Sequence, residues 1–168
     1  MLVGAFYLNS EPGSSTKDRN YYFDANGRMQ DWTYPVAPKN TGGYFVSLSS
    51  CFNDPRSGSG GNYQGIDIEG YKGYNVLSAT SGTIYWAQED ASMGFSIKQT
   101  TNVKGHTGNM LILRYMHMQE GSLAVIKKQT VSAGQKLGLV GSTGDSTGPH
   151  LHFDINYKRK YSRSSAIW

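Results

Sequence analysis

The stretch Ser142-Thr143-Gly144-Asp145-Ser146-Thr147-Gly148-Pro149-His150-Leu151-His152-Phe153-Asp154-Ile155 places two histidines on a strand directly after a glycine-rich turn. Alternate side chains of an extended strand share a face, so His150 and His152 point the same way. Two imidazoles on one face call for a shared partner. A metal ion with a reacting oxygen would be such a partner, provided that a carboxylate or a further imidazole reaches the pair from elsewhere in the fold. The chain offers Asp67 and His117 for that purpose.

Asp67 lies in Gln64-Gly65-Ile66-Asp67-Ile68. A carboxylate flanked by isoleucines needs a partner if it faces inward and none if it sits outward at a strand end, and the segment alone leaves both open. His117 belongs to Leu111-Ile112-Leu113-Arg114-Tyr115-Met116-His117-Met118, where alternation puts Leu111, Leu113, Tyr115 and His117 on one face. By itself it reads as an ordinary half-buried histidine. His106 sits in a plain glycine-flanked loop and carries no such pattern.

At 168 residues the chain has room for one domain with a buried core and a small appendage. Its 21 glycines, 12 tyrosines and 17% charged residues suit short strands and many turns better than helices. The expected fold is mostly β, an antiparallel sandwich or open barrel with long loops forming a groove. Strands are expected within 45–52, 65–68, 75–79, 82–87, 95–100, 109–117, 137–140 and 150–156, with a glycine- and serine-rich loop over 53–62. Gly121 to Lys128 is the one segment that reads as a helical turn.

Residues 1–34 read as an N-terminal extension or linker ahead of a main domain over 35–168. Within the extension, Tyr21-Tyr22-Phe23-Asp24-Ala25-Asn26-Gly27-Arg28-Met29-Gln30 carries the aromatic run and Asn-Gly pair of a hairpin. It also resembles a single unit of the aromatic repeats by which some bacterial surface proteins hold wall polymers. One unit cannot bury its own face and no second copy follows, which favours a local hairpin.

No run of about 18 apolar residues exists to span a membrane. The start Met1-Leu2-Val3-Gly4-Ala5-Phe6-Tyr7-Leu8 lacks the positive flank and apolar length of a signal peptide, so in an exported protein this chain would be an excised domain. A lone Cys51 excludes an internal disulfide. The net charge of +4 is modest, but Lys158, Arg159, Lys160 and Arg163 crowd the C-terminal end. Such a cluster meets an anionic polymer such as a bacterial wall or, more often, is a solvated tail. No nucleic-acid partner is read from it.

Taken in order, Gly65-Ile66-Asp67-Ile68, Val76-Leu77-Ser78-Ala79, Ser81-Gly82-Thr83-Ile84, Gly108-Asn109-Met110-Leu111-Ile112, Tyr115-Met116-His117-Met118 and Val131-Ser132-Ala133-Gly134-Gln135-Lys136-Leu137-Gly138 lead up to the opening stretch. From about Tyr44 to Ile155 the chain resembles the lysostaphin and LytM type of zinc endopeptidase, which cuts peptide cross-bridges in bacterial peptidoglycan. The resemblance implies that Asp67 and His152 are zinc ligands, while His117 and His150 handle the water and the developing oxyanion. Zinc lowers the pKa of a bound water to about 7, after which one imidazole can take its proton and another can donate to the tetrahedral intermediate. The implied partners are bacterial peptidoglycan peptides, and the implied location is the cell surface or the secreted space.

The chain departs from the family in the first motif. The family reads His-x-Gly-x-Asp and this chain reads Tyr63-Gln64-Gly65-Ile66-Asp67. If zinc binding of about 10 to 16 kcal/mol is shared over four ligands, losing one forfeits roughly 3 kcal/mol, more than a hundredfold in affinity. A tyrosinate in its place would cost roughly 4 kcal/mol to ionise at pH 7, and its oxygen projects past the place of an imidazole nitrogen.

The expected function is therefore a peptidase-type domain with an impaired zinc site. It would recognise peptidoglycan peptides in a surviving groove or serve as a scaffold for a protein partner. The competing expectation is an active zinc endopeptidase in which Tyr63, or a side chain such as Cys51, completes the metal shell; retention of both His117 and His150 speaks for it. A biotin or lipoyl carrier is disfavoured, because no lysine here sits in an Ala-Met-Lys-Met or Asp-Lys-Ala setting.

Overall fold

The computed structural model describes residues 21–23, 29–31, 33–37, 48–52, 54–55, 63–104 and 110–157. The strands are β1 (Tyr21–Phe23), β2 (Met29–Asp31), β3 (Val36–Ala37), β4 (Leu48–Ser50), β5 (Ile66–Glu69), β6 (Asn75–Leu77), β7 (Gly82–Asp90), β8 (Gly94–Lys104), β9 (Met110–Met118), β10 (Thr130–Val131), β11 (Lys136–Leu139) and β12 (His150–Tyr157). A seven-stranded sheet runs β10-β7-β8-β9-β12-β5-β4, a three-stranded sheet runs β11-β6-β3, and β1 pairs with β2. Every pairing is antiparallel, the expected class.

The core lies between the two larger sheets. Val36, Val76 and Leu137 of the small sheet meet Ile68, Ile84, Ile97, Leu113, Tyr115, Leu151 and Phe153 of the large one, each 2% exposed or less. Period-two alternation explains the choice: in β12, Leu151 and Phe153 face the core, and their neighbours His152 and Asp154 face the other way. The core also holds a polar knot. The Tyr115 hydroxyl accepts from Ala79 N at 2.9 Å and donates to Gln99 Oε1, Ser78 Oγ donates to the same Oε1 at 2.9 Å, and Gln99 Nε2 donates to Thr80 O at 2.6 Å. Fully buried amides need such partners.

The segment Gly121 to Lys128 is not helical, contrary to expectation. Its amides are spent on neighbours: Ala124 N donates to Leu137 O at 2.8 Å and Lys128 N to Ile84 O at 2.7 Å, while Val125 is buried as a strap over the core. The paired arms β1 and β2 accord with the hairpin signal, but the Asn26-Gly27 turn lies outside the described residues, as do Phe45 to Ser47, most of the 53–62 loop, His106 and the basic C-terminal cluster. Thr33 N donates to Ala79 O at 2.7 Å, tying the chain ahead of β3 to the main body.

Tyr115→Phe strands the buried Ala79 N–H and should cost about 1 to 3 kcal/mol. The expected readout is a lower urea midpoint at an unchanged slope.

Candidate functional site

β5, β12 and β9 are neighbours in the large sheet, and their register sets Asp67 opposite His152 and His152 opposite Met116. Directly opposed residues share a face. Asp154 and Arg114 oppose each other one step along, on that same face, which is turned away from the core. The structure thus settles what the sequence left open for Asp67. It faces neither core nor solvent, and is 9% exposed beneath the side chains that gather over the sheet.

His117 reaches this face by a different route from the one its spacing predicts. Simple alternation would place it beside Tyr115 in the core. Instead Phe95 pairs with Met118 and Ile97 with Tyr115, so three steps along β9 match two along β8. This bulge carries His117 at a φ of 60°, sparsely populated except by glycine, asparagine, aspartate and histidine. Met118 takes the core position, fully buried, and His117 turns over to the histidines of β12. Its ring centroid lies 4.9 Å from that of His150 and 6.1 Å from that of His152.

Backbone carbonyls fix two of the rings. His117 Nδ1 donates to Thr143 O at 2.8 Å and His150 Nδ1 to Gly148 O at 2.8 Å; a carbonyl only accepts, so both nitrogens carry the proton. Thr143 is itself clamped, its hydroxyl donating to Met118 O at 2.6 Å and accepting from Phe95 N at 3.0 Å. The adjoining Gly144, at a φ of 70°, lets this loop lie against Gly94, where a Cβ would stand 2.3 Å from the Gly94 nitrogen.

The third ring, His152, lies between two carboxylates. Its Nδ1 is 2.9 Å from Asp67 Oδ1, and its Nε2 is 3.4 Å from Asp154 Oδ2. Asp154 is held in turn by Arg114, whose Nε donates to Oδ1 at 2.7 Å with Nη2 beside Oδ2, and by Asn156 Nδ2 at 2.8 Å. Burial alone would lower the His152 pKa, but hydrogen bonds to Asp154 and Asp67 outweigh it and hold the pKa above the ordinary imidazole value. Burial would likewise raise both carboxylates, yet the facing imidazole, with Tyr63 for Asp67 and Arg114 for Asp154, keeps each below the usual range. For His117, burial wins over the Thr143 carbonyl and lowers its pKa.

Tyr63 completes the cluster. Its hydroxyl donates to Asp67 Oδ1 and lies 2.8 Å from His152 Nδ1, so the phenol oxygen stops between these two groups rather than passing beyond them. The backbone of Tyr63 is anchored through its N to Asp54 O at 2.8 Å. Cys51, in the turn that Asp54 closes, is exposed and joins no ligand group. Gly65 makes room for His152: a Cβ there would stand 2.6 Å from its Nε2 and 2.9 Å from Phe153 O.

Residues 61–164, more than half of the chain, match Peptidase family M23. The chain belongs to peptidase family M23. The M23 fold is borne out by the catalytic domain of lysostaphin from Staphylococcus simulans, which aligns with a TM-score of 0.59 at 30% identity, covering 70% of this chain and 84% of that one. A zinc-containing peptidase from Vibrio cholerae aligns with a TM-score of 0.63 at 26% identity over 82% of this chain and 43% of that one. Among curated relatives, the murein hydrolase activator NlpD of Escherichia coli is 34% identical over 107 residues, 60% of this chain and 24% of that protein. The peptidoglycan DD-endopeptidase ShyC of Vibrio cholerae is 32% identical over 141 residues, 80% of this chain and 29% of its own length. The chain thus spans less than a third of either relative.

M23 is a zinc peptidase family, and zinc in a catalytic site takes three protein ligands plus water. The described residues do not fit that requirement. Among them no group of three or more His, Cys, Asp and Glu side chains has metal-binding spacing, and the donor atoms of Asp67 and His152 are bonded to each other and to Tyr63.

All four expected residues, Asp67, His117, His150 and His152, meet in one cluster with Tyr63. Sequence reasoning missed Asp154, although period two from His150 and His152 places it on their face; it also missed Arg114 and Thr143, which no spacing in β12 reveals. Gly65→Ala should drive His152 off Asp67 and cost about 1 to 3 kcal/mol, visible as a lowered Tm and a moved His152 imidazole resonance. Asp154→Asn, which leaves Arg114 and His152 short of a buried counter-charge, should cost about 2 kcal/mol or more in urea unfolding.

Proposed function

We propose that this M23 domain is a peptidoglycan-directed module of the bacterial envelope whose zinc site is impaired by Tyr63, leaving recognition of wall peptides or service as a scaffold. The observation that carries the reading is the Tyr63 hydroxyl, bonded to Asp67 and facing His152 Nδ1. A phenol there donates its one proton to Asp67 and offers its oxygen to His152 Nδ1, and a divalent ion would have to displace it from both. Retained peptide binding is supported by a cavity of about 900 Å³ that opens beside His150 and is lined by Glu69, Tyr71, Lys72, Tyr74 and Pro149. Two named relatives bracket the reading, an activator of murein hydrolases on one side and a peptidoglycan endopeptidase on the other.

The second reading is an active zinc endopeptidase completed by Tyr63. What favours it is the geometry of His117 and His150, each ring fixed by a carbonyl as a proton-handling group requires. Metal analysis of protein purified without chelator separates the two. The expected result is substoichiometric zinc and no cleavage of purified peptidoglycan, with Tyr63→His raising zinc affinity at least tenfold. Stoichiometric zinc in the unaltered chain, or an affinity that Tyr63→His leaves unchanged, overturns the impaired-site reading.

A further inference from the structure

The face that carries the cluster continues across the large sheet as a row of charged and aromatic side chains. Trp86 of β7 pairs with Lys98 of β8, Lys98 with Arg114 of β9, and Arg114 with Asp154 of β12. Directly opposed residues share a face, so all four stand on the side turned away from the core. Lys98 and Arg114 are like charges placed directly opposite each other, which destabilises a strand pair. Arg114 is partly compensated: its Nε donates to Asp154 Oδ1 at 2.7 Å, while its side chain stays 28% exposed and keeps part of the guanidinium at the surface. Lys98 carries its ammonium over the Trp86 ring, 4.6 Å from the centroid, and that ring is fixed by its indole N–H, which donates to Ser96 Oγ at 3.0 Å. Burial and the Arg114 charge lower the Lys98 pKa, outweighing the opposite pull of Asp90 and Asp154. A bulge between Ile84 and Trp86 adds Tyr85 to the neighbourhood, close enough to Arg114 and Asp154 for both charges to act on its hydroxyl.

Two cations held on adjacent strands are complementary to one anionic group that bridges them. A carboxylate has the matching form, with one oxygen for an ammonium and one for a guanidinium N–H. Asp154 at one end of the row and Asp90 near Lys98 set a limit on charge: a single negative group is favoured, whereas the successive charges of a polyanion would meet these carboxylates. We infer that Lys98 and Arg114, with the Trp86 ring supporting the ammonium, form a subsite for a carboxylate of a peptide laid across β8 and β9. The subsite lies on the same face as the histidine cluster, two strands across from β12, and Asp154 links the two, since it meets Arg114 on one side and His152 Nε2 on the other. The inference rests on the reading of the domain as peptide-directed and adds the class of peptide, one that bears a free carboxylate away from the cluster.

The test is a titration of the 168-residue chain with acetyl-Ala-Glu-Ala-amide and with acetyl-Ala-Gln-Ala-amide, followed through the Trp86 indole and Arg114 Nε–H resonances. The two peptides differ only in one carboxylate. The glutamyl peptide is expected to move both resonances at millimolar concentration, and the glutaminyl peptide to bind at least tenfold more weakly. Lys98→Met keeps an unbranched side chain on the indole and removes the charge. Shown to be folded by its dispersed amide spectrum, it should bind the two peptides alike. Equal affinity of the unaltered chain for both peptides, no binding of either, or a tenfold preference that survives Lys98→Met overturns the inference. Inorganic phosphate moving the same resonances as tightly as the glutamyl peptide overturns the assignment to a carboxylate. None of these outcomes touches the impaired-site reading, which the zinc content and the Tyr63→His variant decide separately.

Discussion

The pairing register of β5, β12 and β9 is the constraint from which the rest of the molecule follows. Because side chains alternate across a strand, setting Asp67 opposite His152 and Arg114 opposite Asp154 commits Ile68, Leu151, Phe153, Leu113 and Tyr115 to the core at the same stroke. A slip of one residue would bury the charged set and expose the apolar one. The hydrophobic drive that forms the core therefore also assembles the polar cluster, with no separate device for bringing Asp67 to His152 across 85 residues of chain.

One local violation of that alternation is needed. The bulge in β9 turns His117 away from the core and hands its place to Met118, at the cost of a left-handed backbone at a non-glycine residue. The conformation is held by Thr143, which bonds Met118 O, Phe95 N and the His117 ring at once, and by the backbone bond of His117 N to Met93 O at 2.9 Å. Strain that persists under such over-determination is a common mark of a functional position. The glycine-rich run before His150 is thereby more than a turn: it is the clamp for a histidine of another strand.

The electrostatics form a continuous chain from surface to site. Arg114 holds Asp154, Asp154 faces His152, and His152 meets Asp67 and Tyr63. Each buried carboxylate along it therefore faces a guanidinium or an imidazole, Asp154 meeting Arg114 and His152, and Asp67 meeting His152. Within the described cluster the groups bonded to the Asp67 carboxylate are the His152 imidazole, whose pKa its two carboxylate neighbours hold up, and the Tyr63 phenol.

The strands, their antiparallel class and the family were legible in the sequence, because alternation, turn residues and a contiguous motif are local signals. So was the candidate cluster: His150, His152, Asp67 and His117 stand in recognisable motifs, with Tyr63 four residues ahead of Asp67. The strap over 121–128 was misread because its amides bond to β11 and β7, partners that only the fold brings near. The face of His117 was misread because a bulge is set by the neighbouring strand and not by spacing within its own. What the sequence determined by itself was which chemical groups are present and which of them share a strand; whether a phenol oxygen reaches between a carboxylate and an imidazole, and which ring nitrogen meets a backbone carbonyl, depends on distances of a few ångströms between strands, which only tertiary packing decides.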